Sequence, residues 1–231
     1  MVDLDPQGNA STGLGLDRGA RGAGSYALLL GDRPLAEVIR PTAVPGLSLV
    51  PSDADLAGAE VELVDTEGRE RRLRDAFSAA PETLRAYDYV FLDCPPSLGL
   101  LTLNALVAAQ DVLVPLQCEF FALEGVSQIT QTVERVRRAL NPQLQLAGII
   151  LTMHDRRNNL SEAVATDARA FFKDKVYETV IPRNIRISEA PSHGLPVTLY
   201  DFRSPGAQAY IRLAAEFRRR DRARARRMQP A

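Results

Sequence analysis

Short apolar runs that alternate with amphipathic stretches constrain the fold of this chain more than any other feature. Strands alternating with helices indicate βαβ units and a parallel sheet, and continuous Val/Ile/Leu runs are typical of strands covered by helices on both faces. We therefore predict an α/β fold with a single doubly wound, mostly parallel sheet flanked by helices. The predicted strands are residues 2–4, 47–50, 89–92, 112–116, 146–151 and 176–181, and the clearest helical patterns are 123–140, 160–172 and 205–219.

The length of 231 residues suits one large domain. Charge is uneven along it, because residues 216–231 hold seven arginines and two acids. That segment carries +5 while the whole chain carries −1, which leaves −6 on the remainder. We predict one large domain at residues 1–217 and a basic C-terminal tail at 218–231, which either meets an anionic partner or is simply solvated. Residues 19–24 are predicted to form a flexible loop.

Cysteine usage and hydropathy predict a cytoplasmic protein. The chain has two cysteines, Cys94 and Cys118, each beside a predicted strand and without metal-ligand spacing. We expect them to be reduced thiols packed as small hydrophobes. The sequence opens without a signal-peptide pattern, and no apolar run reaches the length of a membrane span.

Acidic residues follow two of the predicted strands. Asp3 and Asp5 lie at the end of the first run, and Asp93 ends the run at 89–92, followed by Cys-Pro-Pro-Ser. Ligands of open α/β sheets bind at the carboxyl ends of the strands, so these carboxylates suit a Mg-nucleotide site. Asp93 is predicted to hold Mg²⁺ directly or through water. Asp5 is the candidate for orienting the attacking water, and Asp3, which alternates with it, should have a different role.

The sequence contains no phosphate-binding loop of the type G-x-x-x-x-G-K-[ST]. Its only lysines are Lys173 and Lys175, which lie at the end of a helical pattern and outside any glycine-rich stretch. The glycines between residues 13 and 24 do not follow the G-x-G-x-x-G spacing either.

Five sequence blocks resemble ParA/Soj-type partition ATPases, which use a deviant Walker A loop. They read VDLDPQGNASTGLG at 2–15, YVFLDCPPSLGLLTLNAL at 89–106, VPLQCEFFALEGV at 114–126, LTMHDRRNNL at 151–160 and VIPRNIRISEAPSHG at 180–194. The blocks span nearly the whole chain in the family's order. Family members begin with a further strand, a lysine-containing glycine loop and a helix. We therefore expect the native gene product to begin earlier, by on the order of 30 residues, the size of one strand and helix, and this chain alone not to hydrolyse ATP.

The resemblance implies a set of roles. Asp5 matches the aspartate needed for ATP hydrolysis and Asp93 the Walker B aspartate near Mg²⁺. It also places Asp3 in the nucleotide-binding motif. The adenine-binding positions are matched by Met153, Pro182 and Asn184, and the DNA-contacting basic positions by Arg157 and Arg186.

The same resemblance implies a cycle for DNA segregation. ATP binding closes a homodimer, the dimer binds DNA non-specifically, and a ParB-type partner stimulates hydrolysis and release. The protein would then be cytoplasmic and nucleoid-associated, with chromosome and plasmid cargo equally open.

Two alternatives remain at this point. The chain could be a non-enzymatic module that binds a ParB-type protein or DNA. It could also be a MinD-like ATPase that cycles on membranes, which would use a C-terminal amphipathic helix with bulky apolar residues. The arginine-rich end of this chain has almost nothing apolar to insert, so we expect no membrane partner.

Overall fold

The computed structural model describes residues 1–120 and 122–228, with the side chains of residues 227 and 228 excepted. Phe121, in the third family-like block, and residues 229–231 of the predicted tail lie outside the described residues. The chain divides into two compact units. The first comprises residues 1–110, 134–144 and 191–195, and the second comprises residues 111–133, 145–190 and 196–231.

The first unit is built around a parallel strand pair. β1 (Val2–Asp3) pairs with β4 (Leu92–Asp93) in parallel, so that Val2 lies opposite Leu92 and Asp3 opposite Asp93. Val2 also forms a parallel bridge to Val50, which follows β3 (Ser48–Leu49), and β3 pairs antiparallel with β2 (Arg40–Pro41). The helices wholly in this unit are α1 (Asn9–Gly13), α2 (Ser25–Leu30), α3 (Leu35–Val38), α4 (Leu56–Glu62), α5 (Arg72–Ser78), α6 (Pro81–Arg85) and α7 (Leu100–Ala108).

The core of the first unit packs helices against the β1 strand. Leu4 and Leu29 are fully buried there, together with Leu56 of α4 and Leu73 of α5. Burying such side chains stabilises the fold by roughly 1.5–3 kcal/mol each. Because this core surrounds Val2 and Leu4, it fixes the strand end that delivers the first aspartates.

The second unit contains the longest strand pair. β5 (Asp111–Gln117) and β6 (Gln145–Thr152) run parallel, with one register shift between Val112 and Leu113. The helices that contribute to this unit are α8 (Ala122–Ala139), which continues into the first unit, α9 (Asn159–Phe172), α10 (Ile185–Glu189), α11 (Val197–Tyr200) and α12 (Pro205–Met228). Parallel pairs flanked by helices confirm the predicted α/β class.

Two predicted strands differ from the structure. Only Leu92 of the run 89–92 is in a strand, and β4 continues to Asp93. The run 176–181 forms no strand, although Tyr177 N–H and Ile181 N–H still donate to β6 carbonyls at 2.8 and 2.9 Å. The reason is that two of the three intervening N–H groups, those of residues 178 and 179, donate to the buried Glu216 carboxylate instead.

Helix α12 continues through the boundary that the sequence suggested at residue 217. It begins at Pro205 and ends at Met228, so the described part of the arginine-rich segment is helical. Its inner face packs Ala209, Leu213 and Phe217 with Tyr177 and Ile181.

None of the described helices is long and apolar enough to cross a membrane.

Candidate functional site

The loop that leaves β1 is held by the carboxylate of Asp3. This side chain is fully buried, and one of its oxygens accepts hydrogen bonds from Ser11 N–H at 2.9 Å and Ser11 Oγ at 2.7 Å. Its other oxygen accepts from Asp5 N–H at 3.1 Å. Hydrogen bonds to an ionised acceptor are about twice as strong as neutral ones. Asp3 therefore closes the loop between residues 3 and 11 into one shape.

A second pair of side chains fastens this loop to the chain after β3. Ser52 N–H donates to Ser11 Oγ at 3.0 Å, and Ser52 Oγ donates to Asp5 carbonyl oxygen at 2.8 Å. Arg21 is 1% exposed and donates to Ser52 carbonyl oxygen at 2.6 Å and to Gly8 carbonyl oxygen at 3.2 Å. It also donates to Thr12 Oγ1 at 2.7 Å. The predicted flexible loop at 19–24 thus supplies a buried anchor.

Gly8 is the one position in the loop where only glycine fits. Its φ is +63°, and a Cβ there would lie 2.2 Å from the Arg21 guanidinium and 2.8 Å from Ser52 carbonyl oxygen. Gly8 is also the residue before helix α1, and its N–H donates to Asp5 carbonyl oxygen at 2.8 Å. The close approach of Arg21 to the loop therefore depends on the absence of a side chain at residue 8.

Asp5 is the partly exposed acid of this loop. One of its carboxylate oxygens accepts from Gln7 N–H at 2.9 Å, within the turn that precedes α1. The backbone on both sides is fixed, because Asp5 N–H donates to Asp3 and Asp5 carbonyl oxygen accepts from Ser52. A carboxylate with a fixed backbone and solvent access can orient a water molecule.

Asp93 lies on the neighbouring strand, opposite Asp3. Burial, together with the charges of Asp3 and Asp5, raises the pKa of its carboxyl to about 6. Among the described residues, no hydrogen-bond donor contacts this carboxylate. The structure thus brings the three predicted acids together. Among them, Asp93 is the one whose surroundings disfavour the ionised form of the carboxyl.

The donor set can be compared with what magnesium requires. Within the described part of the chain, no group of three or more His, Cys, Asp or Glu side chains has a ready ligand geometry. Mg²⁺ keeps most of its waters and uses one or two carboxylates. With Asp3 committed to Ser11, Asp5 and Asp93 are the acids that fit such a hydrated ion, and its charge would offset the repulsion that raises the pKa of Asp93.

The predicted adenine-binding residues lie at the end of β6 in the second unit. Met153 has a φ of +53° and lines a cavity of about 400 Å³ that Asp155, Asn158 and Arg183 also line. This volume is within the range of small-molecule pockets. Pro182 forms a parallel bridge to the residue after Met153.

Asn184 is a helix cap in this structure. Its side-chain oxygen accepts from Arg186 N–H at 3.0 Å and closes the first turn of α10. The backbone therefore engages the Asn184 side-chain oxygen, and the Asn184 carbonyl oxygen accepts from Ile187 N–H at 3.2 Å, so its side-chain NH₂ group is the one that a base could reach.

The two predicted DNA-contacting arginines differ in their surroundings. Arg157 is exposed, and no carboxylate pairs with its guanidinium within the described residues. Arg186 pairs with Glu189 at 2.8 Å and with Asp201 at 3.3 Å. The hydrogen bond to Glu189 raises the pKa of Arg186. Arg186 must exchange these partners to bind a phosphate, whereas Arg157 need not.

Sequence reasoning did not identify Arg21, Ser11 and Ser52 as residues of the site. A serine in a polar stretch and an arginine in a glycine-containing stretch are both ordinary for a solvated loop. The available hint is the motif itself, since Ser11 belongs to the first family-like block.

Comparisons with known proteins show the family of this chain. A family model described as "AAA domain" matches residues 1–146. "Chromosome partitioning protein ParA" of Caulobacter vibrioides is 56% identical over 227 residues, covering 97% of this chain and 84% of that protein. "Sporulation initiation inhibitor protein Soj" of Bacillus subtilis is 50% identical, covering 94% of this chain and 84% of that protein.

A solved structure extends the comparison to ligands. Cobyrinic acid a,c-diamide synthase from Mycobacterium smegmatis, with bound ADP and magnesium, superimposes with a TM-score of 0.72 at 38% identity. The match covers 87% of this chain and 78% of that one.

The α/β fold and the AAA-domain match over residues 1–146 place this chain in a class of ATPases. More specifically, the chain belongs to the ParA/Soj family of chromosome-partitioning ATPases.

Proposed function

We propose that this protein is a nucleotide switch for DNA segregation, with ATP and Mg²⁺ as its cofactors. The observation that supports it best is the contrast between three acids at the strand ends: Asp3 is satisfied by the loop, while Asp5 and Asp93 remain available. The ADP and magnesium bound by the solved relative support the choice of ligand.

The proposal assigns one role to each acid. Asp93 holds the hydrated Mg²⁺ through a water molecule, and the ion in turn favours the ionised form of this carboxyl. Asp5 orients the attacking water, a step that typically contributes about 10²–10⁴-fold to a rate. Asp3 acts on the nucleotide through the loop, because both of its oxygens are already engaged.

The base and the DNA are assigned to the second unit. Met153, Pro182 and Asn184 hold adenine, with the cavity beside Met153 as the space available. Arg157 and Arg186 contact DNA phosphates, which would be independent of sequence and sensitive to salt. Phosphate binding is assigned to no residue of this chain, since none matches the P-loop pattern.

The cycle requires two further partners. A second copy closes the ATP-bound homodimer, and a ParB-type protein stimulates hydrolysis and releases the dimer from the nucleoid. The partitioning names of relatives at 56% and 50% identity support this cycle over a non-enzymatic module. A MinD-like membrane cycle is disfavoured, because the apolar face of α12 is packed inside the second unit.

The test uses the protein expressed from its own gene, with ATP, Mg²⁺ and plasmid DNA. Asp5→Asn should lower ATP hydrolysis by about 100-fold or more, since the water is no longer oriented. ATP-dependent retention on DNA should persist in this variant, because binding precedes the chemical step. Asp17→Asn, an exposed acid downstream of the loop, is the control and should leave both unchanged. Hydrolysis by Asp5→Asn at the wild-type rate would refute the assignment.

A further inference from the structure

The arginines of α12 separate into two sets that differ in what they contact. Arg220 and Arg224 face the second unit. The Arg220 guanidinium lies 4.2 Å over the Tyr177 ring and donates to the carbonyl oxygens of residues 174 and 176, both at 2.9 Å. Arg224 pairs with Asp111 and, at 3.0 Å, with Asp221. These two arginines attach the helix to its own unit.

Glu216 reinforces the same attachment. It is 3% exposed, and its two oxygens accept from the N–H groups of Glu178 and Thr179 at 2.9 and 2.8 Å. Burial alone would raise the pKa of Glu216, but these hydrogen bonds and Arg220 outweigh burial and lower it. The orientation of α12 about its axis is therefore fixed, and so is the face it turns to solvent.

The second set forms a line on that solvent face, which we call the basic stripe. At about 100° per residue, its members fall within an arc of about 120°, and at 1.5 Å per residue the line is about 21 Å long. All of them are exposed. The members of the basic stripe are Arg212, Arg218, Arg219, Arg222 and Arg226.

No acid of α12 lies on the arc of the basic stripe. Glu216 is buried against residues 178 and 179, and Asp221 pairs with Arg224. Arg219 has an exposed partner, Glu178, at 3.5 Å. Across residues 1–120 and 122–228, the other four stripe arginines have no carboxylate at ion-pair distance. Four uncompensated cations on one rigid face create a strong local positive potential in a chain whose net charge is −1.

We propose that the basic stripe of α12 is a binding surface for the phosphate backbone of double-stranded DNA. Stripe arginines four residues apart are about 6 Å apart along the helix, so several of them can reach phosphates of one duplex at the same time. Contacts of this kind do not read sequence. The proposal rests on the proposed function in taking DNA as the polyanion, and it adds a surface that needs neither ATP nor Arg157 and Arg186.

The packing of α12 favours DNA over an anionic membrane. A helix that binds in a lipid interface inserts its apolar face below the headgroups. Here that face is occupied, since Leu213 and Phe217 pack with Tyr177 and Ile181. The apolar side chains that α12 leaves partly exposed, Tyr210 at 37% and Ile211 at 38%, precede most of the stripe. The basic stripe can therefore meet a charged surface but offers little to bury in lipid.

The experiment measures binding of the full chain to a short duplex of random sequence by fluorescence anisotropy, without nucleotide. The variant R218Q/R222Q/R226Q removes three phosphate contacts. We expect affinity at low salt to fall by on the order of tenfold or more, and the slope of log K against log[salt] to become shallower by about 2.7, at ~0.9 per phosphate. The Arg→Lys triple at the same positions keeps the charge and should retain most of the affinity.

A second triple variant, R85Q/R135Q/R138Q, removes the same charge from exposed positions on α6 and α8 and serves as the matched control. It should bind DNA like the wild type. Equal losses in both triples would mean that net charge alone acts, and wild-type binding by the stripe triple would mean that the stripe is not used. Binding of the wild type to phosphatidylserine vesicles but not to the duplex would assign the stripe to lipid. Each of these three results overturns the proposal.

The outcome is separable from that of the proposed function. If the basic stripe does not bind DNA, ATP-dependent DNA binding through Arg157 and Arg186 is still expected. A failure of the proposed function would appear as DNA binding that does not respond to ATP, whatever the stripe variants do.

Discussion

Two loops leave neighbouring parallel strands in the first unit, and they are stabilised in opposite ways. The loop after β1, residues 3–12, is held by buried hydrogen bonds that Asp3 accepts and that Ser52 and Arg21 donate. The loop after β4 follows Asp93, the last residue of that strand, whose carboxyl receives no hydrogen bond within the described residues and has a pKa raised to about 6. The register of the pair places Asp3 directly opposite Asp93.

This difference shows which part of the site the fold forms without a bound ligand. The first loop has its shape without a ligand, because each buried polar group already has a partner. The second loop holds a carboxylate that a cation would stabilise, so its electrostatics are completed only by a ligand. We infer that the fold alone fixes the position of Asp5, whereas the negative charge of Asp93 is stabilised only when Mg²⁺ binds.

The largest expected effect comes from removing the buried carboxylate of the first loop. Asp3→Ala should lower the free energy of unfolding by about 3–4 kcal/mol, because charged hydrogen bonds are lost and Ser11 is left unsatisfied. Urea unfolding measures the change. Asp17→Ala, an exposed acid in the same region, should stay within about 0.5 kcal/mol. Similar stability of Asp3→Ala and wild type would mean that the first loop is not held as described.

Removing the buried guanidinium should have the next largest effect. Arg21→Met keeps much of the volume but leaves the carbonyl oxygens of Gly8 and Ser52 without this donor, which should cost about 2–3 kcal/mol. Arg18→Met, at an exposed position three residues earlier, is the matched control and should be near neutral. If the two variants unfold alike in urea, Arg21 is not an anchor.

A smaller effect, an increase in the free energy of unfolding, is expected from a substitution at Asp93. The pKa of Asp93 is raised from 3.8 to about 6 in the folded protein. The folded state therefore binds more protons than the unfolded state between about pH 4 and 6, and stability falls as the pH rises through this window. Asp93→Asn removes this loss. Because the group is half-buried, solvent screening leaves a gain of about 1 kcal/mol above about pH 7.

Measuring the stability gain of Asp93→Asn at two pH values provides an internal control. Below about pH 3 the Asp93 carboxyl is mainly protonated in both the folded and the unfolded state, and the advantage of Asp93→Asn should vanish. Asp88→Asn, at an exposed position before β4, should show no such dependence. A gain that is equal at both pH values would contradict the electrostatic account of the second loop.

The sequence predicted the positions of the acids better than their surroundings. Asp3 and Asp93 follow apolar runs, so their place at the ends of neighbouring parallel strands could be predicted and is confirmed. The run at 176–181 also has a strand-like pattern, yet the buried Glu216 carboxylate accepts hydrogen bonds from two of its N–H groups and no strand forms. A partner 37 or 38 residues away leaves no local pattern.

The arginines are a second case in which the sequence does not predict the surroundings of a side chain. With 28 basic residues in the chain, composition cannot separate a buried anchor such as Arg21 from an exposed cation such as Arg222. Their difference arises from tertiary packing, in particular from the missing side chain of Gly8 and from the orientation of α12. The predicted roles of Met153, Pro182, Asn184, Arg157 and Arg186 came from family resemblance, and they stay predictions.

The measurement that tests the central claim most directly is calorimetric titration of Mg-ATP into the protein from its own gene, compared with Asp93→Asn. The account predicts binding by the wild type and an affinity at least about tenfold weaker for the variant, a difference of roughly 1.4 kcal/mol. Equal affinities for the two proteins would contradict the assignment of Asp93 to the magnesium-bound nucleotide.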